Sequence, residues 1–139
     1  MEKKKAVAVL LASTIIWAIV LVGSAKVLGG TEYKEAVNRV IFVGIIVHIQ
    51  LMNMMLLWSK KKKKDSFDFK PGVTIIASAI IWGAVMIASA SVLRGTEYKA
   101  EIARIIQGGS AAHLLFIWAP IGIATQKYIM KQKKKSTEE

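Results

Sequence analysis

The chain has no cysteine, only two prolines among its 139 residues, and no aspartate or glutamate inside any of its long apolar runs. The missing cysteine removes disulfides, thiolate metal ligands, cysteine nucleophiles and covalent Cys-x-x-Cys-His haem attachment together. The missing carboxylates leave nothing inside the apolar segments to orient a histidine, so a Ser-His-Asp triad has no third member there. Nor is there a strand pattern followed by a glycine loop, the context a phosphate-binding motif needs.

What is present is hydrophobic and basic: 54% of residues are apolar and the formal net charge is +11. All charged residues fall outside four uncharged windows, Ala6–Ala25, Val40–Ser59, Pro71–Leu93 and Ile105–Gln126, of 20, 20, 23 and 22 residues. About 20 apolar residues in a helix cross the ~30 Å hydrocarbon core of a bilayer. A soluble globular domain, a disordered basic tail and a disulfide scaffold are therefore excluded. The first window is longer than the ~7–15 residue apolar core of a cleaved signal peptide, and no clear processing site precedes Lys26, so it is expected to remain as a span.

The basic charge looks at first like a nucleic-acid footprint, but it does not collect on one folded face among polar readers. Lys3–Lys5, Lys60–Lys64, Lys70, Lys127, Lys131 and Lys133–Lys135 hold 14 of the 20 basic residues beside five acids, a net of +9. The other two inter-window segments hold Lys26, Lys34, Arg39, Arg94, Lys99 and Arg104 against four glutamates, a net of +2. The positive-inside rule then places both termini and the lysine-rich linker in the cytoplasm of a multi-pass plasma-membrane protein. Its expected partners are the lipid bilayer and anionic headgroups at the cytoplasmic face. A homodimer through small residues such as Ala84 and Ala88, or a larger membrane complex, is a further expectation, and nucleic acid is not one.

Shifted by 65 residues, the sequence aligns with itself without a gap. Ile15-Ile16-Trp17 meets Ile80-Ile81-Trp82, Gly30-Thr31-Glu32-Tyr33-Lys34 meets Gly95-Thr96-Glu97-Tyr98-Lys99, and Arg39, Gly44 and His48 meet Arg104, Gly109 and His113. The expected fold is an all-α, integral-membrane four-helix bundle forming a single domain over 1–139. Its parts are repeat 1 (6–59), a cytoplasmic lysine-rich linker (60–70), repeat 2 (71–126) and a cytoplasmic tail (127–139). Each repeat is a helical hairpin, and two hairpins inserted in the same sense predict a pseudo-two-fold axis along the membrane normal.

Local chemistry sharpens the elements. Gly30 and Gly95 suit left-handed carboxyl caps. Thr31 and Thr96 suit the N-cap of the following helix, with Glu32 and Glu97 in its first turn. Tyr33, Tyr98 and Trp58 suit the headgroup level. Pro71 suits a first helical position, and Pro120 should disturb the fourth span from within. Residues common to both copies fall at 13, 16, 17, 20, 24, 27 and 28 in the first helix and at 41, 44 and 48 in the second, with the equivalent position 37 (Val37, Ile102) extending that stripe; these mark the inward face. Trp17 and Trp82 lie on it, far from an aromatic belt, and should seek an acceptor for the indole N–H.

The candidates for chemistry are His48 and His113, near the bilayer midplane, each with a glycine four residues earlier (Gly44, Gly109). Ionisable groups at that depth are costly and point to function. The sequence leaves three readings open: bis-imidazole ligation of haem b for transmembrane electron transfer, the glycines making room for the macrocycle; a proton or small-cation pathway; or a hydrogen-bonded helix contact. Both histidines are also candidate metal ligands, and Met52 and Met55 on the His48 face would suit Cu(I), although the second copy lacks them. Arg39 and Arg104 are half a turn out of phase with the histidines and are expected to snorkel, paired with Glu35 or Glu32 and with Glu101 or Glu97. Gln50, Asn53 and Gln107 are expected to bond between helices. The reading as a whole is a small membrane protein without enzymatic activity of its own, a structural, assembly or cofactor-holding component centred on the two histidines.

Overall fold

The computed structural model describes residues 3–58 and 71–123, together with 126 and 130. The linker 60–70, the tail 127–139 apart from Met130, and the side chains of Met55 and Trp58 lie outside the described residues. Among the described residues there are helices and no strand: α1 (Lys3–Val27), α2 (Tyr33–Trp58), α3 (Pro71–Val92) and α4 (Tyr98–His113), the last continued by a π-helical turn, Leu114–Trp118. Four segments, Val7–Val27, Tyr33–Met54, Val73–Val92 and Tyr98–Ile123, are long and apolar enough to cross a membrane. A helix is the form such segments must take, because hydrocarbon offers no partner for an open backbone N–H or C=O.

α1 packs against α2 and α4, and α3 packs against the same two, so α1 faces α3 and α2 faces α4 across the bundle. The outer surface is an apolar sheath of residues such as Ile15, Ile19, Phe42, Ile80, Ile87 and Phe116. The inner surface is narrower and more polar. Ser13, Trp17, Val20, Ser24 and Leu28 are buried along and just beyond α1, and Ser78, Trp82, Val85, Ser89 and Leu93 along and just beyond α3. α2 contributes Val37, Ile41, Gly44, His48 and Met52, and α4 with its π turn contributes Ile102, Ile106, Gly109, His113 and Ile117. Every one of these buried positions has its counterpart 65 residues away in the sequence. Ile16 and Val27, expected on the same face, are half-buried flanks.

The Gly-Thr-Glu-Tyr-Lys turns close both hairpins at one end. Leu28 and Leu93 are fully buried, and their carbonyls accept from the backbone N–H of Thr31 (3.0 Å) and Thr96 (3.1 Å). Such a turn needs a left-handed residue at its third position, where Gly30 has φ 78° and Gly95 φ 81°. The threonines depart from the expected N-cap role. Thr31 Oγ1 and Thr96 Oγ1 each donate at 2.9 Å to the carbonyl of Leu28 and Leu93, so they close the preceding helix. The residue that flanks α4 is Glu97, in helical conformation and with no side-chain cap. Tyr33 and Tyr98 are half-buried and pack on the core beside these turns.

Pro120 acts on the residues before it. A proline has no N–H for the carbonyl four residues back and its ring crowds that carbonyl. The helix accommodates this with the π turn Leu114–Trp118, in which the N–H of Ala119 reaches back to the carbonyl of Leu114. The corresponding residues Ile49–Asn53 of α2 are regular α-helix.

Two glycines set the helix spacing. A Cβ on Gly44 would overlap Val85 Cγ2 and meet Trp17 Cη2 at 3.1 Å, and one on Gly109 would overlap Val20 Cγ2 and meet Trp82 Cη2 at 2.9 Å. Overpacking of this kind typically costs about 1–3 kcal/mol. Gly44→Ala and Gly109→Ala should each lower stability in detergent by about that much, and Val85→Ala or Val20→Ala respectively should restore part of it. Gly108→Ala, where nothing lies within 4 Å, should leave the unfolding midpoint unchanged. Thermal unfolding of the purified variants is the measurement.

Candidate functional site at the bundle axis

The axis of the bundle holds a short column of rings. Trp17 from α1 and Trp82 from α3 stack face to face, with centroids 4.0 Å apart and planes 6° apart. Below them, toward the end where α1 and α3 begin, His48 from α2 and His113 from α4 meet edge to face at 4.4 Å and 70°. The imidazoles also lie beside indoles: His48 is 5.8 Å from Trp17, and His113 is 5.7 Å from Trp82 and 6.5 Å from Trp118 of the π turn. Both histidines are almost wholly enclosed, at 0% and 1% exposure. Nine helical residues, roughly 13 Å of rise, separate each from the exposed Arg39 or Arg104, which places both near the middle of a ~30 Å hydrocarbon core.

The sequence explains why four helices can deliver four rings to one place. Gly44 and Gly109 sit one turn before the histidines on the same faces. Each receives the indole of its own hairpin partner and a valine from the other hairpin. The room that these glycines offer is therefore taken up by tryptophan, and the indoles find each other instead of an acceptor: neither Nε1 has a hydrogen-bond partner among the described residues.

Polar groups continue the column on either side. Toward the start of α1 and α3 lie buried Ser13, Ser78 and Thr74, and toward the turns lie buried Ser24 and Ser89. Ser13 Oγ is 3.3 Å from His113 Nε2, the hydroxyl donating when that nitrogen is unprotonated and accepting when it carries the proton. The 65-residue offset would give His48 the same partner in Ser78. It does not, because the π turn swings Trp118 inward and its Nε1–H donates to Ser78 Oγ at 3.1 Å. The residue 65 positions before Trp118 is the exposed Asn53. Both ring nitrogens of His48, Nδ1 of His113, and the hydroxyls of Thr74, Ser24 and Ser89 are left buried without a hydrogen-bond partner among the described residues. Buried polar groups are bonded in the great majority of cases, so each such exception calls for a reason.

The remaining sequence candidates fall away from this centre. Arg39 is exposed and pairs with Glu35 at 3.5 Å, and Arg104 is exposed too, so neither reaches the histidines. Gln50 and Asn53 face outward, and Gln107, also outward, donates to Met86 Sδ at 3.8 Å. Met52 is buried with Ile117 and Trp118 in a second apolar cluster below the histidines. Sequence reasoning missed Trp118, because a lone tryptophan near a proline carries no sign of which way it turns.

A haem does not fit these residues. A macrocycle between two axial imidazoles must lie across the axis between them. Here the imidazoles touch, and the indole stack fills the ground above both glycines. A metal ion fares little better: among the described residues no three His, Cys, Asp or Glu side chains converge, while a tetrahedral zinc site takes about four ligands.

No family model, curated protein or solved structure matches the chain. Fold and composition define its class, a small multi-pass membrane protein built as an all-helical bundle.

The Trp118–Ser78 bond can be tested directly. In Ser78→Ala the Trp118 Nε1–H loses its acceptor, and the indole N–H resonance of Trp118 should move while the ring-nitrogen NMR shifts of His113 change little. Ser13→Ala should do the reverse, moving His113 and leaving the Trp118 indole unchanged. A Trp118 indole resonance indifferent to Ser78→Ala would contradict the bond.

Proposed function

We propose that this chain is a non-enzymatic component of the cell membrane whose working element is the His48–His113 pair, and that the pair binds and passes protons along the bundle axis. The observation that carries this reading is the meeting of the two imidazoles at 4.4 Å in a fully buried site, with three of their four ring nitrogens lacking a hydrogen-bond partner among the described residues. A purely structural imidazole would be expected to have its nitrogens bonded. His113 is half-way to that state through Ser13, and His48 is not.

The chemistry follows from the ring. A neutral imidazole has one N–H and one lone pair. A proton taken up on the bare nitrogen gives imidazolium, and release of the proton from the other nitrogen restores the neutral ring with the tautomer reversed. Two such rings in contact hand a proton from one helix to the other. Ser13, Ser78 and Thr74 extend the chain of exchangeable groups toward one end, and Ser24 and Ser89 toward the other. An indole N–H donates but has no lone pair to accept with. The stacked tryptophans therefore interrupt the path on the side of the turns, and passage requires them to part. The same stack fills the axis against a hydrated cation, which favours the proton over larger ions.

In this reading the two hairpins are tandem copies about a pseudo-two-fold axis, and the lysine-rich segments lie in the cytoplasm. The pairing of buried positions at a 65-residue interval supports the first of these, and the unequal basic charge supports the second.

Proteoliposomes carrying an internal pH dye and an imposed potassium-valinomycin potential test the reading. Under an inside-negative potential the wild type should acidify the vesicle lumen, and the doubly substituted His48→Gln, His113→Gln protein should do so at least tenfold more slowly. Trp17→Ala should speed the flux while keeping its dependence on the histidines. Equal flux from wild type and double variant, with a lower thermal midpoint for the variant, would sink the relay and leave the histidines a packing role. The purified protein should also show no Soret band after expression with excess haem; a band lost in His48→Ala would reinstate haem.

A further inference from the structure

Polar side chains on the lipid-facing surface of this bundle are mostly bonded within the chain. Thr14 Oγ1 donates to the Leu10 carbonyl and Ser91 Oγ to the Ile87 carbonyl, each at 2.9 Å and one turn back on its own helix. Gln107 reaches Met86. Gln50 and Asn53 differ. Both are exposed on α2, three residues apart and so on one face, and neither is bonded to any described residue. They lie on a broad outward stripe with Val43, Ile46, Val47 and Met54, all about half exposed or more. Hydrocarbon gives an amide no partner, and each carboxamide brings two donors and an acceptor that must be met by another protein group.

We propose that this face of α2 is where a second copy of the chain docks, the two copies related by a two-fold axis along the membrane normal. The occupant is argued from the chemistry of the patch. A carboxamide both donates and accepts, so it is complementary to itself. Two copies inserted in the same sense bring parallel α2 helices together, with Gln50 opposite Gln50 and Asn53 opposite Asn53, each N–H donating to its twin's oxygen. An apolar stripe with two amides packs well against the same stripe, as an isologous contact requires.

The second hairpin explains why the assembly stops at two. The positions 65 residues on from Gln50 and Asn53 are Leu115, which is apolar and exposed, and Trp118, which is buried and committed to Ser78. Each chain therefore carries one such patch and not two. A single self-complementary patch closes as a pair, whereas two patches per chain would propagate into a row. This inference does not depend on the proton reading, since the amides lie outside the bundle and the histidines inside.

The chain's lack of cysteine makes the test clean. Val47→Cys and Met54→Cys, introduced singly and oxidised in native membranes, should each give a disulfide-linked dimer, and Ile87→Cys on α3 should give none. Adding Gln50→Leu and Asn53→Leu to either cysteine variant should reduce the linked fraction at least fivefold without lowering the thermal midpoint, since leucine suits a lipid-facing position. Absence of a cross-link at both Val47 and Met54 would overturn the proposal. So would a ladder beyond the dimer, cross-linking to a different protein, or a linked fraction indifferent to the leucine substitutions.

Discussion

The rest of the structure depends on the contact between Trp17 and Trp82. Helices in a bilayer gain nothing by hiding apolar surface from lipid that is equally apolar, so association rests on close packing and on polar contacts. These two buried indoles come from diagonally opposed helices and meet on the axis at 4.0 Å. They fit only because α2 and α4 present bare backbone at Gly44 and Gly109. Rings held by glycines on one side and by each other on the other fix the width of the bundle at its middle. The imidazoles one turn below are brought into contact as a consequence.

That arrangement joins two demands that usually conflict. A tightly filled interior needs apolar surfaces, and a membrane interior that handles charge needs polar ones. Here the two are divided by depth along one axis. Serine hydroxyls lie above and below, imidazoles lie near the middle, and the indoles provide bulk with a single polar atom each. The hydroxyls and imidazoles also sit at helix contacts, where small and weakly polar side chains let backbones approach.

Much of the fold was legible in the sequence. Charge-free windows locate the four spans, because a charge in hydrocarbon is too costly to scatter at random. The shared positions 13, 17, 20, 24 and 28 marked the buried face of α1, and 41, 44 and 48 that of α2, since helical periodicity alone decides which residues point the same way. What escaped is what depends on three dimensions at once. Spacing placed Trp17 and Trp82 inside but did not show that they would meet each other, because the distance between diagonal helices is not a property of either helix. The glycines were read as room for a haem macrocycle, whereas the groups packed against them are the chain's own indoles. The threonines of the turns were assigned to the wrong helix, since a threonine between two helices can cap either one. The partner of Ser78 was hidden by the π turn, whose cause, Pro120, was visible although its form was not.

The π turn has one further consequence, for how the two hairpins should be compared. Inserting a residue into a helical turn rotates everything beyond it by roughly 100° relative to an uninterrupted helix. The sequence of the second hairpin runs on without a gap, so a letter-by-letter comparison still pairs Trp118 with Asn53. In space that pairing has already lapsed: one points inward and the other outward. The 65-residue correspondence of buried positions therefore runs on through Met52 and Ile117 and fails at Asn53 and Trp118. Below the histidines the two hairpins bury different chemistry: α4 turns an indole into the bundle where α2 leaves a carboxamide outside it.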